Sequence, residues 1–179
     1  MKPILMIHEM TEKMFDLPLE DFVLTFDDGL ATQWKYFDKL KLIETTKIFF
    51  VSTNIICAEQ TYQDTTYIKC DEAHEKSREG NFSNYMKWSQ IEEIHKTEDC
   101  FIGGHSHDHK RHDGSLRENY LNLEADSDKM IEEFQKHQIH IDHFCYPYNE
   151  NYALYEGILK RYYIKNFYGK ERIDIKEIM

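Results

Sequence analysis

Two short stretches of this chain carry side chains able to do chemistry together. "TFDDG", Thr25 to Gly29, closes an apolar run with two adjacent carboxylates and a glycine. "CFIGGHSHDHKRH", residues 100–112, places four histidines and an aspartate within thirteen positions. Adjacent carboxylates suit a division of labour: one binds a divalent cation while its neighbour, pointing elsewhere, takes a proton from the water that the cation activates. His105 and His109, four apart, present both imidazoles to one ion if the segment turns helically after its strand, and Gly103 and Gly104 let backbone approach closely. One Asp with two His leaves positions open for water and substrate, the pattern of a catalytic rather than a structural metal centre. His107 and His112 compete as ligands, and the alternative for all four histidines is a solvated loop. Ten histidines placed at random give on the order of half an HxxxH pair, so the histidines alone decide little. A given five-residue string arises by chance roughly once in ten thousand chains of this length. For Asp27 and Asp28 the alternative role is capping a helix that starts near Leu30. A third element, "FCYPYN", sets Tyr148 directly after Pro147 at another strand end.

Those residues need elements to position them. Apolar runs predict strands at 4–8, 22–26, 47–52, 100–104, 143–147 and 163–168, mostly apolar enough to be covered on both faces. Helical spacing predicts helices over 30–44, 87–96, 116–137 and 152–162. The stretch 57–85 has no clear period, and so long a connection in a compact domain is either functional or an insertion, placed to border a substrate groove. Strands alternating with helices give an α/β fold with a parallel sheet or barrel, whose active site lies beyond the carboxyl ends of the strands.

Length and composition bound the rest. With 179 residues, 41% of them hydrophobic, the chain closes one sizeable core, and a single domain over 1–179 is expected. A formal charge of −11 disfavours nucleic acid, whose backbone is bound mainly by lysine and arginine. Cys57, Cys70, Cys100 and Cys145 form no CxxC pair and sit in mainly apolar surroundings, so buried thiols and a reducing, cytoplasmic compartment are expected, the membrane surface included. The apolar run Ile4 to Ile7 is too short for a signal-peptide core, and no integral membrane segment is expected.

"TFDDG" followed some eighty residues later by "HSHDH" resembles the first two motifs of the polysaccharide deacetylases, the NodB-like carbohydrate esterase family 4, and "YPY" resembles the third. "ILMIH", "KIFFVS" and "ERIDIKEI" resemble the opening strand, the strand after the first helix and the tail of some members. The resemblance implies a distorted, incomplete (β/α)7-type barrel, one strand of which this short chain is expected to lack or to take from a partner. It implies a metal-dependent hydrolase that removes the N-acetyl group of an amino sugar in a glycan or glycan precursor. Carried over, Asp27 is the general base, Asp28 with His105 and His109 holds one divalent ion, zinc in the first instance, and the backbone N–H of Tyr148 helps to hold the oxyanion. The arginine that orients the base in motif three is replaced by Cys145, and the Leu-x-His motif that carries the acid in many members is missing. His8, at the end of the first expected strand, takes the acid role, as in a circularly permuted branch of the family. Trp34, Trp88, Tyr146 and Tyr148 are candidates for stacking on sugar rings. Two other readings stay open: a non-catalytic carbohydrate-binding relative, separated by turnover, and a deformylase or other linear-amide hydrolase, separated by which acyl group is released. The polymeric, lipid-linked or nucleotide-linked form of the sugar and the oligomeric state are left open, as is the metal, because Asp with two His accepts several divalent ions.

Overall fold

A computed structural model describes residues 2–111 and 113–179. Seven strands form one sheet in which every pairing is parallel: β1 (Ile4–Ile7), β2 (Val23–Phe26), β3 (Lys47–Val51), β4 (Cys100–Gly104), β5 (His143–Cys145), β6 (Asn166–Tyr168) and β7 (Ile173–Asp174), in the order β6-β5-β4-β3-β2-β1-β7. The two edge strands are consecutive in the chain and joined only by residues 169–172. Flat, the edges of seven strands would lie about 28 Å apart, and five residue steps span at most about 18 Å. The sheet must therefore curl, and it forms an incomplete (β/α) barrel, the architecture expected from the sequence motifs. The seventh strand belongs to this chain: β7, within "ERIDIKEI", pairs with β1 through Leu5 and Met6.

The two faces of the sheet do different work, because side chains alternate along a strand. Leu24, Phe26, Phe49, Val51, Ile102 and Phe144 face the main core, against α4 (Trp88–His95), α5 (Leu116–Lys136) and α6 (Ala153–Leu159). Ile48, Phe50 and Cys145 form a separate small cluster with Val23 and Tyr168 against it. The glycines of β4 serve this packing: a Cβ on Gly103 would lie 2.6 Å from the Phe50 ring, and one on Gly104 2.6 Å from the Met130 sulfur of α5. Their role is to admit side chains on both faces of the strand.

The expected helix 30–44 is two short ones, α1 (Ala31–Lys35) and α2 (Phe37–Leu40), interrupted at Tyr36. The residue before α1 is Leu30, with no side-chain cap, so neither Asp27 nor Asp28 is spent on capping. Residues 57–85 contain a helix that periodicity did not show, α3 (Cys70–Arg78); its buried residues are Ala73 and His74, too few to set an apolar period. All four cysteines are free thiols. No helix among the described residues is long and apolar enough to cross a membrane.

Candidate active site at the carboxyl ends of the strands

The two adjacent aspartates diverge because the backbone turns sharply between them. Asp28 and Gly29 both take left-handed conformations, with φ of 69° and 70°, a region tolerated by Asp and free for Gly. Asp27 keeps the facing of Thr25, two residues earlier on β2, while Asp28 turns toward the loop after β4. Gln33, fully buried on α1, donates from Nε2 to the carbonyls of both His8 (2.8 Å) and Asp27 (2.6 Å), tying the ends of β1 and β2 together. His8 stands over both carboxylates, its Nε2 3.9 Å from Asp27 Oδ2 and 4.0 Å from Asp28 Oδ2.

Asp27 is paired with an arginine from the far end of the chain. Arg172, with a fully buried side chain, donates from Nη1 to Oδ1 and from Nη2 to Oδ2, each at 2.7 Å. Its other Nη1 hydrogen reaches Thr25 Oγ1 (3.0 Å), Nε donates to the Gly169 carbonyl (3.1 Å), and the second Nη2 hydrogen is shared between Asn149 Oδ1 (2.5 Å) and Cys145 Sγ (2.9 Å). The arginine missing before "YPY" is thus replaced in space. Cys145, small and buried, leaves room for a guanidinium that arrives just before β7. Burial opposes ionisation of Asp27, yet the Arg172 charge and hydrogen bonds outweigh it and hold the carboxyl below its ordinary pKa.

Asp28 is surrounded by imidazoles. His105, His109 and His74 place their Nε2 atoms 3.3, 3.3 and 3.2 Å from the same oxygen, Oδ1, and the Nε2 atoms of His105 and His109 are 3.2 Å apart. Cys70 donates its thiol to the other oxygen, Oδ2, at 2.9 Å. The loop that carries His105 and His109 is not helical. Ser106 and His109 have φ of 65° and 49°. Ser106 Oγ accepts from the His109 N–H (2.8 Å), and the Asp126 carboxylate on α5 accepts from the N–H groups of His107 and Asp108 (3.0 and 2.9 Å). This irregular turn, rather than a helix, brings the two rings to one point. His107 faces away, its Nδ1 2.8 Å from Thr53 Oγ1, and so leaves the ligand set; His112 lies outside the described residues.

The donor set fits a divalent ion. His105 Nδ1 lies 2.8 Å from the Cys145 carbonyl, which can only accept, so this nitrogen carries a proton and Nε2 is the atom left to face an ion. Burial, only partly opposed by the Asp28 carboxylate, lowers the His109 pKa to about 3 and keeps the ring neutral. Asp28 Oδ1 and His74 Nε2 are buried without an aligned hydrogen bond. Lone pairs converging in a buried site are costly unless a cation lies among them. Donors around a tetrahedral zinc with bonds of about 2.0–2.1 Å lie about 3.3 Å apart, and Asp28 Oδ1, His105 Nε2 and His109 Nε2 are separated by 3.2–3.3 Å.

Tyr148 also reaches the site, held in the left-handed region at φ 59°. Its hydroxyl donates to the His109 carbonyl (3.1 Å), its ring centroid lies 4.7 Å from that of His109, and the Arg111 guanidinium covers it at 4.2 Å. The other aromatics proposed for stacking on sugars are engaged elsewhere. Trp34 stacks on Phe37, Trp88 on His137, and buried Tyr146 donates to Glu156. Sequence reasoning missed Arg172, His74 and Cys70. Arg172 had no local signal, whereas the CxxxH spacing of Cys70 and His74 was there to be read.

A family model described as polysaccharide deacetylase matches residues 17–166. No curated protein matches the chain. Among solved structures, IcaB from Ammonifex degensii superposes with a TM-score of 0.65 at 16% identity, covering 96% of this chain and 91% of its own. The BpsB deacetylase domain from Bordetella bronchiseptica gives 0.68 at 12% identity, over 96% of this chain and 93% of its own. A de-N-acetylase from Aggregatibacter actinomycetemcomitans gives 0.66 at 14% identity, over 96% and 92%. At these identities the structural likeness speaks for the fold.

Proposed function

The chain belongs to the polysaccharide deacetylase family, and from that premise we propose a metal-dependent hydrolase that removes the N-acetyl group from an amino sugar of a glycan or glycan precursor, releasing acetate and a free amine. The observation that carries this reading is the split pair: Asp27 locked onto Arg172, Asp28 facing His105 and His109. A divalent ion held by Asp28, His105 and His109, zinc in the first instance, would supply Lewis acidity toward the acetyl carbonyl and lower the pKa of water. Asp27, kept ionised by Arg172, accepts the proton of the attacking water. The Tyr148 backbone N–H donates to the developing oxyanion. His8, about 4 Å from both carboxylates, delivers a proton to the leaving nitrogen. A cavity of about 220 Å3, lined by Tyr148, Arg111, Lys110, Tyr152 and Glu150, offers aromatic and charged groups for a sugar ring.

The test is metal content with acetate release over N-acetylated glycans and sugar precursors. Wild-type protein should hold one equivalent of divalent metal, and His105→Ala with His109→Ala should lose it together with acetate release. A full equivalent retained by that double variant at unchanged affinity removes the assigned ligand set. Sugar binding without turnover by metal-loaded protein supports a non-catalytic relative, and release of formate in place of acetate supports a deformylase.

A further inference from the structure

The family motifs account for three donors at the Asp28 carboxylate, but the site holds more. Helix α3, inside the stretch 57–85 that lacks an apolar period, brings Cys70 and His74 to Asp28. Residues four apart lie on one side of a helix, so the CxxxH spacing delivers thiol and imidazole together, opposite the HxxxH pair of the loop after β4. His74 is about nine-tenths buried, and its Nε2 lies 3.2 Å from Asp28 Oδ1 with no hydrogen-bond partner. Its other nitrogen, Nδ1, faces the Tyr85 hydroxyl at 3.4 Å, and its ring stacks on that of His109 at 4.4 Å between centroids. Nδ1 thus has a polar neighbour, while Nε2, without an aligned hydrogen-bond partner, is directed at the oxygen shared with His105 and His109.

Resting on the metal-dependent reading above, we propose that His74 is a fourth protein ligand of the same ion, making the set one aspartate and three histidines, with the ion expanding beyond four-coordination to keep a position for water. Cys70 is the support of this set, fixing the second oxygen of Asp28 by its thiol hydrogen bond. A role for His74 as an outer partner of Asp28 would require an N–H donated to the carboxylate, and no aligned hydrogen bond is made there. The consequence is that metal retention depends on α3. The segment 57–85 is then part of the metal centre, in addition to lying beside it.

X-ray absorption on the zinc-loaded full chain counts imidazole ligands without any substitution, and three are expected. In His74→Ala the count should fall to two, the visible spectrum of the cobalt-substituted protein should change, and zinc affinity, read by competition with a chromophoric chelator, should fall more than about 100-fold. That exceeds the roughly 10- to 100-fold typical of losing an outer-shell partner. His74→Asn, closer in size and polarity, should show the same count. Two imidazoles in the wild-type protein, or an unchanged count in the variants, overturns the fourth ligand and leaves the three-ligand reading standing. A wild-type chain that takes up no stoichiometric zinc overturns both.

Discussion

Removing Arg172 should strike fold and chemistry together, and the structure sets the size of each effect. The guanidinium makes two charged hydrogen bonds of 2.7 Å to Asp27, with both side chains at or near zero exposure. Solvent screening therefore does not discount them. Breaking a buried pair by deleting one partner costs about 3–5 kcal/mol, and two charged hydrogen bonds at about 1.5–3 kcal/mol each give the same range. Against a domain stability of about 5–15 kcal/mol, Arg172→Ala should remove about a fifth or more, read by urea unfolding at neutral pH. Arg172→Lys should recover only part of this, because an ammonium cannot span both oxygens. The pH dependence follows from the sign of the shift. Asp27 has a folded pKa below its unfolded one, so the pair stabilises above the ordinary carboxylate value, and that stability is lost as pH falls through the depressed folded value. Without Arg172, burial is less opposed, the carboxyl moves up, and the acid limb of kcat/KM should move to higher pH. A cycle of Arg172→Ala, Asp27→Asn and the double variant should give a coupling energy near the top of the usual range of about 0.5–3 kcal/mol. Coupling below about 0.5 kcal/mol, or an unmoved acid limb, would refute the assignment of Arg172 as the group that holds Asp27 ionised.

Asp27→Asn should keep the metal while hydrolysis by the folded fraction falls by about 10² to 10⁴, with stability also reduced because Arg172 is left buried without its counter-charge; near-normal turnover removes Asp27 from the mechanism. His8→Ala should lower deacetylation of an N-acetyl sugar far more than hydrolysis of an activated aryl acetate, whose leaving group needs no proton, and equal losses on both substrates assign His8 to structure alone. Asp126, which accepts the N–H groups of His107 and Asp108, shapes the ligand loop without touching substrate. Asp126→Ala should weaken metal affinity about 10- to 100-fold, and unchanged affinity would show that the loop holds its form unaided.

Much of this protein is legible in its sequence because the relevant signals are local. The apolar runs at β1 to β4 need no partner to be recognised as buried strands, and "TFDDG" and "HSHDH" are compact enough to be read as two halves of one site. Strand ends in a parallel sheet also predict on which edge His8, Asp27, Asp28, His105 and Tyr148 would gather. Tertiary structure decided what depends on long separations or on irregular backbone. Arg172 reaches Asp27 from 145 positions away, only because the sheet curls until β7 lies beside β1. The ring geometry of His105 and His109 comes from left-handed residues and the Asp126 carboxylate, where sequence suggested a helical turn. His74 lies on a helix with too small a buried face to leave an apolar period, so only its CxxxH spacing to Cys70 sets it apart along the chain, and that spacing does not say which ligands it joins. A side chain's type and local spacing show what it can do; which other group it does it with is set by the path of the chain between them.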